Sequence, residues 1–148
     1  MSWSRNARVV AVVGILLAAW GCGGSPTAAT TTYTQVSSVY AGTLNAGQTP
    51  LDLNAYHFAV TNPGPLDVQL SSLAPISTLT MGLRISVWDP TTGTCPAQTS
   101  CTICESQAAK VGGFLEVSPP GPGEYCVAIY DVGNLQQNSD YSITVLHY

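Results

Sequence analysis

Charged side chains are scarce in this 148-residue chain: four basic and eight acidic residues make up 8% of it. Beyond Arg8 the only basic residues are Arg84 and Lys110. A nucleic-acid surface needs clustered Lys and Arg to neutralise phosphates, so that class of partner is excluded. Attachment to an anionic membrane through a basic patch is excluded for the same reason. Long apolar runs are missing too, since none reaches the roughly 20 residues that cross a bilayer as a helix. Histidine occurs only as His57 and His147, and no Gly-x-Ser-x-Gly elbow singles out a nucleophile. With so few charges, the surface must be built of Ser, Thr, Asn and Gln, as is common in exported β-domains.

What the chain does carry at its start is an address. Arg5 and Arg8 lie in a short polar stretch, and Val9 to Trp20 is apolar apart from Gly14. Ala19-Trp20-Gly21 then leads directly into Cys22. A basic region, a short apolar region and a small-x-small cut site are the parts of a secretory signal peptide. A cysteine directly after the cut resembles the lipobox of bacterial lipoproteins. That resemblance implies that Cys22 becomes the first mature residue and carries the lipid, palmitate included. Gly23 in place of an aspartate implies delivery to the outer membrane of the cell envelope; the alternative is a plain secreted or periplasmic protein. Two or more acyl chains anchor stably, at about 0.8 kcal/mol per buried CH₂, so the membrane is an expected partner through the lipid alone.

Residues 1–21 therefore read as signal and 22–32 as a flexible tether of small and polar residues without large side chains to bury. Residues 33–148 read as one domain, long enough for a core of its own. Losing Arg5 and Arg8 leaves two basic residues against all eight acidic ones, a formal charge of −6. Within the domain, alternation of period two dominates. Tyr56, Phe58 and Val60 share one face, opposite His57 and Ala59. Leu66, Val68 and Leu70 follow the turn Asn62-Pro63-Gly64-Pro65, and Met81, Leu83, Ile85 and Val87 run up to Asp89-Pro90. Phe114, Leu115 and Val117 come next, then Tyr125, Val127 and Ile129, then Tyr141, Ile143 and Val145. With Val36 to Leu44 this predicts an all-β, antiparallel sandwich of seven to eight strands. Residues 102–110 are the one stretch with a helical option.

The series Gly42-x-Leu44, Tyr56-x-Phe58-x-Val60, Gly64-x-Leu66-x-Val68-x-Leu70 and Leu83-x-Ile85-x-Val87-x-Asp89 resembles the bacterial pre-peptidase C-terminal domain. Gly123-x-Tyr125-x-Val127-x-Ile129 and Tyr141-x-Ile143-x-Val145 extend the resemblance to the end of the domain. It implies a jelly-roll-like sandwich without catalytic residues, a family in which some members bind calcium or extracellular polymers. The chain departs from that pattern in having no peptidase beside the domain and in a cysteine-bearing insert from Cys95 to Cys104.

Cys95, Cys101, Cys104 and Cys126 form an even set that in an exported chain reads as two disulfides with three alternative pairings. The favoured pairing closes Cys95 on Cys101 and ties Cys104 to Cys126, whose parity turns it away from the core. A redox or zinc role for Cys101-x-x-Cys104 is the lesser reading, as no histidine lies near it in sequence. Trp88, Arg84 and Tyr130 share the outward parity and form a candidate ligand platform for a protein or polysaccharide; the alternative is that Trp88 covers a disulfide. Asp131, Asn134, Asn138 and Asp140 are oxygen donors that suit calcium, although Asn and Asp in such a loop more often bond their own backbone. No other cofactor is expected. Glu105, Glu116 and Glu124 could supply a carboxylate pair for a small hydrolase only if two of them met. The expectation is a non-enzymatic binding domain held at the envelope, with a structural lipoprotein lacking a specific ligand as the alternative.

Overall fold

The computed structural model describes residues 32–47, 54–97, 104–117 and 121–148. Expectations for residues 1–31, Cys22 among them, and for Cys101 fall outside these segments. Eight strands follow in order: β1 (Val36–Leu44), β2 (Asn54–Val60), β3 (Leu66–Ala74), β4 (Met81–Val87), β5 (Glu105–Ala109), β6 (Phe114–Val117), β7 (Gly123–Tyr130) and β8 (Ser139–His147). They form two four-stranded sheets, β1-β8-β3-β6 and β2-β7-β4-β5, with every pairing antiparallel. Successive strands mostly alternate between sheets, which is the jelly-roll order of two interlocked Greek keys. The expected β-sandwich is the observed fold.

The core follows the alternation. Leu66, Val68 and Leu70 of β3, Met81, Leu83 and Ile85 of β4, and Ile143 and Val145 of β8 are buried between the sheets. Three details depart from a strict period of two. A bulge at Ser71 shifts the β3–β8 register, so Leu70 opposite Ile143 and Leu73 opposite Tyr141 both point inward. Val87, at the end of β4, is half exposed rather than buried. Residues 105–109 of the stretch with a helical option are strand β5, because a place beside β4 gives their backbone a ladder that an isolated nine-residue helix without an apolar stripe would lack.

The two long edges of the sandwich differ. Beside β1 and β2, the Tyr40 and Tyr56 rings stack with centroids 4.7 Å apart, and the Tyr56 and Tyr141 hydroxyls hydrogen-bond at 2.7 Å. Tyr56 also donates to the Ala41 carbonyl, and Asn54 to that of Thr43, so side chains satisfy edge carbonyls of β1. Gly42 is required here, since a Cβ would lie 2.7 Å from the Tyr141 hydroxyl. The edge beside β5 and β6 has no such cover: Leu83 and Leu115 floor a cleft there, and Phe114 is 70% exposed.

Candidate functional site

The outward residues of β2, β7, β4 and β5 lie on one face of the second sheet, and the chain after β4 folds back over it. Asp89 makes that reversal. Its carboxylate accepts hydrogen bonds from the Thr91 and Thr92 amides and the Thr92 hydroxyl, and its backbone bridges to Thr94. The Thr92 hydroxyl and the Thr91 amide hold the Asp89 carboxyl below its ordinary range. The reversal returns Cys95 along β4, whose Ser86 pairs with Cys126 of β7. Cys95 is accordingly bonded to Cys126.

This corrects the favoured pairing. The turn built on Asp89 brings Cys95 over Cys126, so local closure onto Cys101 gives way to a bridge across the sheet. Cys104 is disulfide-bonded as well, but not to Cys126. By the chain-entropy estimate, a loop of 31 residues is worth about 3–4 kcal/mol. The parity of Cys126 was read correctly: it lies on the outer face in a second buried cluster with Cys95 and Ala128, against which Ala55 and Trp88 pack.

All three proposed platform residues reach this face, in different roles. Trp88 is half buried, covering the disulfide cluster. Its indole lies 5.0 Å from the ring of His57. His57 in turn pairs through Nε2 with the Glu124 carboxylate, both side chains being well exposed. Tyr130 is only 3% exposed and presents no open ring for stacking. It lies across Gly82, where a Cβ would come within 2.2 Å of the ring. Its hydroxyl donates to Glu105, and the Arg84 guanidinium sits 5.4 Å from its ring centroid.

Arg84 grips Glu105 with two bonds of 3.1 Å and reaches the Cys95 carbonyl at 3.4 Å. Those Arg84 bonds, with the one from Tyr130, hold the Glu105 carboxyl below its ordinary value. Burial first, then the bond to Glu105, pushes the Tyr130 phenol up to about 12. Arg84, Glu105 and Tyr130 therefore form a closed ionic brace under the insert. The exposed part of the face is the row Trp88, His57 and Glu124.

The remaining acids and oxygen donors do not converge. Glu116 belongs to β6 in the other sheet. Glu105 and Glu124 are offset by two strands and four residues, roughly 16 Å at the usual strand dimensions, beyond the spacing of a glycosidase pair. One carboxylate oxygen of Asp131 accepts the amides of Gly133, Asn134 and Leu135, and Asn134 donates to Thr80. Asn138 accepts from the Ala46 amide and Asp140 from the Thr43 hydroxyl, so these two clamp the first strand. The four calcium candidates thus act as turn and strand braces, and no group of three metal-ligating side chains occurs among the described residues.

No protein-family model matches the chain, and no curated protein matches it. Among solved structures the fold is similar to Aeromonas hydrophila PliG, a periplasmic lysozyme inhibitor of g-type lysozyme. The likeness has 16% identity, covers 74% of this chain and 83% of that one, and has a TM-score of 0.43.

Glu124 was missed as a member of this face, and with it the partner of His57. The outward parity of His57 was visible, but its pairing with Glu124 requires knowing that β2 and β7 are neighbours. His147 was named in the sequence only as one of two histidines. It is the last inward residue of β8, 6% exposed, with its ring 5.3 Å from that of Phe58, and burial pushes its pKa down.

Proposed function

We propose that the chain is an exported, lipid-anchored binding protein of the bacterial envelope, without catalytic activity, whose contact surface is the Trp88–His57–Glu124 row. The observation that carries this reading is the indole held half open on a sheet face that a disulfide and an ionic brace make rigid. A preorganised aromatic next to a polar pair suits a protein or polysaccharide ligand, because little side-chain entropy is lost on contact. The basic start, the apolar segment and Cys22 support export and lipid attachment.

The test presents the oxidised protein to glycan arrays and to envelope and extracellular protein extracts, beside Trp88→Ala and His57→Ala variants. A ligand whose binding falls at least tenfold in Trp88→Ala supports the proposal. Turnover of a glycan or peptide by the native protein that is lost in His57→Ala would overturn it. Intact mass of the membrane-extracted protein tests the anchor, which requires acylation at Cys22.

A further inference from the structure

Residues 147 and 148 fasten one sheet to the other. The main-chain oxygen of Tyr148 accepts the amides of both Thr61 and Asn62 at 3.1 Å, so the end of β8 is tied to the turn that follows β2. The Tyr148 ring lies against Gly64 in the same turn, where a Cβ would come within 2.5 Å of it. His147 points inward beside these contacts, 6% exposed, with its ring 5.3 Å from that of Phe58. Because β8 belongs to the first sheet and β2 to the second, this clasp closes one end of the sandwich.

The ring at the centre of the clasp is placed for one protonation state only. Its Nδ1 is buried and has no hydrogen-bond partner among the described residues. In the neutral imidazole that nitrogen can remain a bare acceptor, whereas the imidazolium carries a proton on both nitrogens. Protonation in place therefore buries an unpaired donor and an unpaired charge. No described acid faces the ring to offset this. Its neighbours are Val36 on β1 and Phe58 on β2, with Tyr125 of β7 beyond Phe58. Asp67 of β3 lies opposite Leu146, which points away from the core, and Glu124 of β7 is engaged by His57 on the outer face of the second sheet. Burial outweighs the bond that the ring makes with the Tyr148 backbone and holds the His147 pKa below its ordinary value.

We propose that His147 is the catch of an acid-released clasp: on taking up a proton its ring leaves Phe58, the Tyr148 oxygen lets go of Thr61 and Asn62, and this end of the sandwich opens. Opening puts the new charge in water and uncovers Phe58 and Val60, which are 6% and 3% exposed while the clasp is shut. Linkage fixes the direction. The shut state prefers the neutral ring, so the clasp is fully held above the free-histidine value of about 6.5 and loosens as pH falls below it. The catch lies on the opposite side of β2 from the Trp88 row, so either can fail without the other.

Amide hydrogen exchange of the full oxidised chain at about pH 7.5 and 5.0, with each rate corrected for the intrinsic pH dependence of exchange, tests the proposal. Protection of the Thr61 and Asn62 amides should fall about three- to thirty-fold between the two, the ceiling being set by roughly 1.5 pH units below the free value of about 6.5. At either pH both amides should exchange faster than that of Val127 in the middle of the second sheet, the mark of a local opening rather than unfolding. In His147→Leu and His147→Gln, neither of which can take up the proton, the fall should vanish, and far-ultraviolet circular dichroism verifies that each variant folds. Protection at Thr61 and Asn62 that is unaltered by pH in the native chain, that equals the protection of Val127, or that falls as far in a folded variant as in the native chain would overturn it.

Discussion

Tyr130 shows how one outward position changes meaning once its neighbours are known. Its parity makes it a surface aromatic, yet the missing side chain at Gly82 lets the ring lie flat across β4, where Arg84 and Glu105 close over it. An aromatic covering a glycine on the neighbouring strand restores contact that the glycine alone could not make. Adding one methyl there forces the ring off the strand and loosens its bonds to the brace. Gly82→Ala is therefore expected to cost about 1–3 kcal/mol, measured by urea denaturation of the oxidised protein. A variant as stable as the native chain would show that the ring is not held against the strand. Trp88 is the converse case: half of its ring secures the disulfide cluster, and the rest remains free for a partner.

Among the elements, β3 carries the clearest mechanical device. Its first three inward residues, Leu66, Val68 and Leu70, follow period two, and Leu73 breaks it. The bulge at Ser71 absorbs the extra residue and returns Leu73 to the core. Deleting Ser71 should be tolerated, at a cost of about 1 kcal/mol for its bond to Thr144, because the ladder then runs regularly from Leu70 to Ser72. Deleting Gln69 from the regular part instead turns Leu70 to solvent and Ser71 toward the core. That costs at least about 2–3 kcal/mol, and thermal unfolding of the two deletions side by side distinguishes them. Equal losses would mean that the register of β3 is not set by its inward leucines. The insert after β4 is the second device, since the turn at Asp89 decides which cysteine meets Cys126.

At the scale of the whole molecule, two sheets close on a core at whose edge the His147 ring is buried. Burial lowers the pKa of His147, while the unfolded chain keeps a value of about 6.5. As pH falls below 6.5 the unfolded state takes up the proton first, so stability is full above that value and declines on acidification. Glu105 and Asp89 are also lowered, but their contribution persists above about pH 4.5 and is lost only as pH falls through their folded values. The difference between native and His147→Leu stability curves should therefore be flat above pH 6.5 and change between 6.5 and 4.5. A constant difference across that window would refute the assignment. Period-two alternation in a chain almost devoid of charge was enough, by itself, to determine a β-sandwich, the first strand from Val36 to Leu44 and the outward facing of Cys126, Arg84 and His57. It sufficed because each of these depends only on which side of its own strand a residue occupies. Tertiary structure alone decided the Cys95–Cys126 bridge, the His57–Glu124 and Arg84–Glu105 pairs, the burial of Tyr130 and the open edge at Phe114. Those follow from which strands lie side by side and where the chain reverses, and local alternation carries no information about either.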